Sequence, residues 1–203
     1  MLFRNQQVTK SPLPGSDKKG QYPTSHSRHL STRLADMFPK VLQAPAGPVT
    51  VLSEELVERA KEQSRRSPRG RIILPLHQSP EDRLHRMLNA LQPGSYVRPH
   101  RHLNPPKAES TVLLRGKIGF VTFLADGSID RHWVLAAGAA CFGVDCHPGV
   151  FHTVFALEPD TVVFEVKPGP YDAASDKDFA PWAPEEGTAE AEAYLERLVR
   201  LAG

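Results

Sequence analysis

The stretch Gln92-Pro93-Gly94-Ser95-Tyr96-Val97-Arg98-Pro99-His100-Arg101-His102 sets two histidines two positions apart behind a Pro-Gly turn. On a β-strand, residues i and i+2 project from the same face, so His100 and His102 can present two imidazoles to one point. Glu109 opens the next apolar segment, after a loop that holds Asn104-Pro105-Pro106 and must turn the chain. Further on, Pro148-Gly149-Val150-Phe151-His152 places another histidine just past a Pro-Gly turn, at the head of a strand-like segment. Three imidazoles and a carboxylate suit one first-row divalent transition ion, with iron, manganese, nickel and zinc all compatible. Four protein ligands on an octahedral ion leave two positions open for substrate, water or dioxygen. His147 is a rival for His152, but it lies before the turn and is expected to point elsewhere.

Working outward, the chain from about residue 72 to 168 alternates short segments rich in Val, Ile, Leu, Phe and Thr with Gly, Pro, Asp and Asn. Arg71–Leu76, Leu84–Leu91, Ser110–Arg115, Gly119–Leu124, His132–Leu135, Phe151–Leu157 and Thr161–Lys167 read as strands, and Asp126-Gly127 as a hairpin turn. About eight short strands with regular turn signals imply an all-β sandwich or barrel. Ahead of them Ser53 caps a helix that carries Leu56, Val57 and Ala60 and ends near Ser64. Behind them Thr188–Leu201 forms a closing helix, with Ala191, Tyr194, Leu195, Leu198, Val199 and Ala202 on the helical period. The basic turn from Arg65 to Arg71 between the first helix and the first strand reads as a solvated loop, or alternatively as an anion-binding loop.

Composition bounds the rest. Residues 1–48 carry seven Lys/Arg and two acids, whereas the remaining 155 residues are mildly acidic, at −3. The first 48 residues contain six prolines and no hydrophobic period, so they are expected to be a disordered basic tail ahead of a domain spanning 49–203; Met37 is a second candidate start. The scattered basic residues lack the clustered stripe of a nucleic-acid surface. The longest uncharged apolar run, Trp133 to Val144, falls short of the ~18 residues of a membrane span. Cys141 and Cys146 are too few for a disulfide framework and are read as small buried residues of a cytoplasmic protein.

With these residues in place, Gly94-x5-His100-x-His102-x6-Glu109-x6-Gly116 resembles the first cupin motif, and Pro148-Gly149-Val150-Phe151-His152 the core of the second. The run Gln92 to His102, Leu103-Asn104-Pro105-Pro106-Lys107, Phe164 to Tyr171 and Phe179-Ala180-Pro181-Trp182-Ala183-Pro184 together resemble the WbuC family of cupin-fold metalloproteins, from about residue 49 to the C-terminus. The resemblance implies a double-stranded β-helix, a jelly-roll-like barrel with one metal at its mouth or interior, and carries the ligand roles onto His100, His102, Glu109 and His152. It also implies a setting in O-antigen or related surface-polysaccharide synthesis. Cupins often dimerise through their sheets, and an apolar edge here would suit a homodimer. The chain departs from the pattern at Ala108, where the family tends to have a large aromatic, at Ala156, where the generic motif has Asn, and in a second-motif proline displaced by one position.

Strand parity extends the site. If residues 96–102 form a regular strand, Tyr96 and Arg98 share the face of the histidines, with Arg98 gripping a carboxylate or phosphate and Tyr96 serving as acid; if Pro99 breaks the parity, Arg98 lies on the rim. Thr111 and Leu113 follow Glu109 inward, and Val154 and Ala156 follow His152. Glu165 and Lys167 read as an exposed ion pair, with a pocket role the alternative that the family-like segment permits, His77, His85 and His132 as ordinary histidines, and Tyr171 and Trp182 as packing residues. The expected activity is that of a metalloenzyme on a small anionic or sugar-derived substrate, whether isomerase or epimerase, hydrolase or dioxygenase. The alternative is a metal-containing binding or sensing module without turnover, which the lack of an evident general base favours.

Overall fold

A computed structural model describes residues 38–202, and the expected disorder of the tail up to Met37 falls outside them. Ten strands follow one another: β1 Arg71–Pro75, β2 Leu84–Leu91, β3 His100–Arg101, β4 Glu109–Arg115, β5 Lys117–Phe123, β6 Ile129–Ala136, β7 Gly143–Cys146, β8 Phe151–Ala156, β9 Thr161–Pro168 and β10 Asp178–Phe179. They pair into two five-stranded sheets, of order β1-β2-β9-β4-β7 and β10-β3-β8-β5-β6, with antiparallel neighbours throughout. The chain crosses repeatedly from one sheet to the other, which is the double-stranded β-helix of the cupin fold.

The apolar pattern explains the layering. Leu91, Leu113, Ile118, Phe120, Leu135, Cys146, Ala156 and Val163 fill the space between the sheets. Helix α1 (Glu54–Arg66) lays Val57 and Ala60 on Ile72, Leu74, Leu88, Ala90 and Val162 of the first sheet. Helix α2 (Ala189–Ala202) lays Ala191, Leu195 and Leu198 on Val121, Phe123, Phe151 and Phe155 of the second. Strand β8 and the first three residues of β9 are therefore largely buried on both faces, whereas edge strand β6 is exposed over six of its eight residues.

Local chemistry fixes the ends. The Ser53 side chain accepts from the Leu56 amide at 3.3 Å, and Glu54, Glu55, Arg65 and Arg66 complement the α1 dipole at its two ends. Gly116 turns β4 into β5 at φ +73°, and a Cβ there would run into the Thr161 hydroxyl, so only glycine fits. The basic turn after α1 is neither free loop nor anion site. Arg65 pairs with Asp160, and Arg69 and Arg71 share Glu186, at 2.5–2.8 Å, which pins the turn to the β8–β9 connection and to the segment before α2.

Several expectations are corrected. Within residues 38–48, assigned by composition to the tail, Lys40 to Leu42 run beside β1, where the Leu42 amide donates to the Ile73 carbonyl at 2.8 Å. Cys141 is exposed; only Cys146 is buried. Tyr171 is half exposed, while Trp182 packs on Phe123 and Phe151 as expected. Among the described residues no helix is long and apolar enough to cross a membrane.

Candidate metal centre

The pairing of β3 with β8 sets His100 directly across from His152, and their rings lie 4.6 Å apart. The His102 ring follows at 5.1 Å from that of His100 and 5.8 Å from that of His152. Each residue offers a nitrogen within 4.8 Å of the other two, and all three side chains are buried. Glu109, at the head of β4 on the opposite sheet, presents one carboxylate oxygen to His102 Nε2 and the other to His152 Nε2, each at 3.1 Å. Phe120 stacks on the His152 ring at 5.6 Å and Phe179 flanks His100 at 6.2 Å, so the cluster has apolar walls.

The other ring nitrogens decide what this cluster can do. His100 Nδ1 donates to the Arg98 carbonyl and His152 Nδ1 to the Val150 carbonyl, both at 2.9 Å. His102 Nδ1 donates to the Asp176 carbonyl. A carbonyl oxygen only accepts, so each Nδ1 carries a hydrogen, while the Nε2 atoms of His102 and His152 face the Glu109 carboxylate, to which His102 Nε2 is hydrogen-bonded. Backbone carbonyls that fix the tautomer and aim the ring are the usual support behind metal-ligating histidines. His152 Nε2 is moreover a buried nitrogen with no hydrogen-bonding partner, because its approach to Glu109, though close, is misaligned for one.

The electrostatics favour a cation at the same place. Burial opposes charge on His152, yet the Cys146 sulfur, 3.6 Å from Nδ1, and the Glu109 carboxylate prevail and raise its pKa to about 10. Burial likewise opposes ionisation of Glu109, but the contacts with His102 and His152 hold its carboxyl well below the ordinary value. His100 is kept neutral, chiefly by burial and then by the charge of Lys177. Three inward Nε2 atoms and a carboxylate held ionised in a dry setting fit one divalent transition ion.

Not every expected site residue arrives here. The strand begins only at His100, because buried Pro99 has no amide to give to a ladder. Tyr96 instead faces the layer under α2, where its hydroxyl donates to the Pro184 carbonyl at 3.0 Å and its ring meets Tyr194 edge-on. Arg98 lies over the Phe179 ring and beside Glu185, outside the cluster of histidines. His147 is exposed and stands apart from the three grouped histidines. Thr111, Leu113 and Ala156 do turn inward and are buried. His77 and His85 stack on one another, each hydrogen-bonded to a backbone carbonyl.

The reading of Glu165 and Lys167 as an exposed pair is overturned. Lys167 is 7% exposed, with its ammonium 3.2 Å from Asp176 and 3.5 Å from Glu165. Buried Lys107 holds the other Asp176 oxygen at 3.1 Å, and Asn89 donates to Glu165 at 2.5 Å. The register sets Glu165 opposite Thr111, two residues along β4 from Glu109. Burial, with the nearby charge of Glu109, raises the Glu165 pKa and keeps a proton on that carboxyl longer than usual. Parity held the signal for this: Val163, Glu165 and Lys167 alternate on one face, and Val163 is core.

Residues 52–135 match the family model described as "Domain of unknown function (DUF6016)". No curated protein matches the sequence. Among solved structures, an L-ribose isomerase of Cellulomonas parahominis is 17% identical over 56% of this chain and 70% of its own, with a TM-score of 0.44. KdgF from a Halomonas species is 18% identical over 51% and 82%, with a TM-score of 0.39. The capsular polysaccharide assembling protein CapF of Staphylococcus aureus is 22% identical over 49% of this chain and 27% of its own, with a TM-score of 0.40.

Proposed function

We propose that this chain is a WbuC-like cupin metalloenzyme that holds one divalent transition ion on His100, His102, His152 and Glu109 and acts on a small anionic or sugar-derived substrate. The observation that carries this reading is the common orientation of the three imidazoles. Every Nδ1 is spent on a backbone carbonyl, the three rings offer nitrogens within 4.8 Å of one another, and the Nε2 atoms of His102 and His152 face an ionised carboxylate. An ion there would supply Lewis-acid polarisation of a substrate carbonyl.

The chain's own contribution is proton handling. Glu165 is largely enclosed, at 14% side-chain exposure, and its raised pKa suits a group that takes a proton and returns it. It supplies the acid–base residue whose absence from the sequence reading favours a binding module without turnover. Proton transfer beside a polarised carbonyl is the chemistry of isomerases and epimerases, and we assign the protein to that class ahead of hydrolases and dioxygenases. We place it in surface-polysaccharide metabolism by the WbuC resemblance, and in the cytoplasm by the cysteine usage of the sequence.

Elemental analysis of the purified protein beside a His100→Ala/His152→Ala variant tests the reading. About one ion per chain in the wild type, absent from the variant, is expected. A wild type that stays empty after refilling with iron, manganese, nickel and zinc in turn would overturn it.

A further inference from the structure

Two rows of cross-strand pairs lead from the histidines to the open edge of their sheet. In one, His152 on β8 lies across from Thr122 on β5, and Thr122 lies across from Arg131 on edge strand β6. In the next, two residues further along each strand, Val154 lies across from Phe120, and Phe120 across from Trp133. Residues directly opposite in an antiparallel pair turn their side chains to one face. The contacts identify that face. Phe120 stacks on the His152 ring at 5.6 Å, the Trp133 ring meets Phe120 at 6.3 Å, and Leu135, two residues past Trp133, lies in the core between the sheets. The register of β6 shifts only beyond Arg131, so Arg131 shares this face with Trp133 and Leu135. Two strand spacings put its Cα about 10 Å from that of His152.

The histidine-bearing face therefore reaches solvent at β6. Along the rows, His152, Thr122 and Phe120 are buried, whereas Arg131 is exposed and Trp133 is 37% exposed. The opposite edge of the sheet is occupied. There Arg98 lies over the Phe179 ring that flanks His100, and Asp176 before β10 is clasped by Lys107 and Lys167.

The groups at the β6 edge describe a ligand. The outer part of the Trp133 ring is a flat apolar surface that water still covers. Beside Arg131, Asp130 accepts the Thr122 hydroxyl at 3.1 Å through Oδ2, which leaves its other oxygen for a hydroxyl of a ligand. Arg98 and Arg101 spend their charge on Glu185 and Asp178, whereas Arg131 enters no ion pair among the described residues. A sugar ring has an apolar C–H face to lay on an indole and a rim of hydroxyls for a carboxylate. A guanidinium adds a planar fork that pairs with carboxylate and phosphate alike. A neutral sugar would leave that fork unmatched, and an anion without a ring would leave the indole uncovered. An acidic sugar satisfies both.

We infer that Trp133 and Arg131 are the specificity-determining residues of this site, and that its ligand is an acidic sugar whose ring lies on Trp133 and whose oxyanion meets Arg131. The inference rests on the metal reading proposed above. It replaces Arg98 with Arg131 and narrows the substrate class from anionic or sugar-derived to both at once.

Calorimetric titration of the zinc-loaded full chain with D-glucuronate, D-glucose 6-phosphate, D-glucose and succinate tests it in the wild type, Arg131→Met, Arg131→Lys and Trp133→Ala. At least one acidic sugar is expected to bind the wild type about tenfold more tightly than glucose or succinate, and which one does so names the oxyanion. Arg131→Met should weaken that binding by about tenfold, and Arg131→Lys by less. Trp133→Ala should weaken it by about fivefold. Zinc content should be equal throughout. Arg131→Gln or Trp133→Leu takes the place of a variant that does not fold. Acidic sugars that bind no better than glucose or succinate, or that bind Arg131→Met or Trp133→Ala as well as they bind the wild type, overturn the assignment. So does loss of zinc from either variant, which would make that residue structural. A wild type that takes up no zinc sinks the metal reading itself, a result distinguishable from all of these.

Discussion

His102 Nδ1 donates its hydrogen to the main-chain carbonyl of Asp176, 74 residues later in the chain, and the Asp176 carboxylate is itself clasped by Lys107 and Lys167. Both lysines and the aspartate are at most 7% exposed. The aim of one imidazole thus depends on a buried charge network contributed by the β3–β4 loop, by β9 and by the return to β10.

Asp176→Asn keeps the shape of that network and removes its charge. Two buried ammonium groups then lose their counter-charge, and a loss of about 3 kcal/mol in folding stability is expected. Since the return segment also aims His102, zinc affinity should fall by about tenfold, as for other changes behind a metal ligand. Chelator competition on the folded variant reads the affinity. An unchanged zinc affinity would mean that His102 is held by its own strand alone.

Tyr96→Phe separates the sequence expectation from the geometry. The phenol donates to the Pro184 carbonyl at 3.0 Å under α2, on the far side of its sheet from the histidines. The substitution should cost about 1 kcal/mol of stability. It should leave metal content and turnover as they are. Abolished turnover in a folded, metal-loaded variant would return Tyr96 to the chemistry.

Acid should loosen the clasp on the turn after α1. Burial opposes ionisation of Glu186, but Arg69 and Arg71 prevail and hold its pKa at about 2, and Arg65 holds Asp160 at about 2 as well. A carboxyl whose folded pKa is depressed adds stability above its unfolded pKa and loses it as pH falls through the folded one. Glu186 is 37% exposed, so solvent screening leaves it about 1 kcal/mol. Urea unfolding should find wild type more stable than Glu186→Gln by that amount at pH 6, the gap closing between pH 4.5 and 2. A gap that does not change with pH would show that the clasp acts through packing.

Much of this was legible in the residues. The helical periods around Val57 and Leu195, the Asp126-Gly127 turn and seven of the strands follow from pattern alone, because each element turns one apolar face to a neighbour. The strands that pattern reading misses as such are short. Strand β7 has four residues, β10 has two, and β3 shrinks to two behind Pro99. Such segments are made by pairing to a neighbour, not by any period of their own. The same cause misdirects Tyr96 and Arg98, whose inward placement requires a strand that Pro99 prevents. Glu165 and Lys167 are misread because charged side chains are seldom buried, and only their partners Asn89 and Asp176 make it tolerable here.

The central claim is that three Nε2 atoms, each freed by a backbone bond at Nδ1, hold one ion. Nitrogen-15 spectra of the histidine rings before and after adding one equivalent of zinc test it most directly. The account predicts that His100, His102 and His152 move together to the signature of a metal-bound Nε2, with Nδ1 still protonated, while His77 and His85 do not move. Unmoved resonances at the three histidines, or binding through Nδ1, would contradict it.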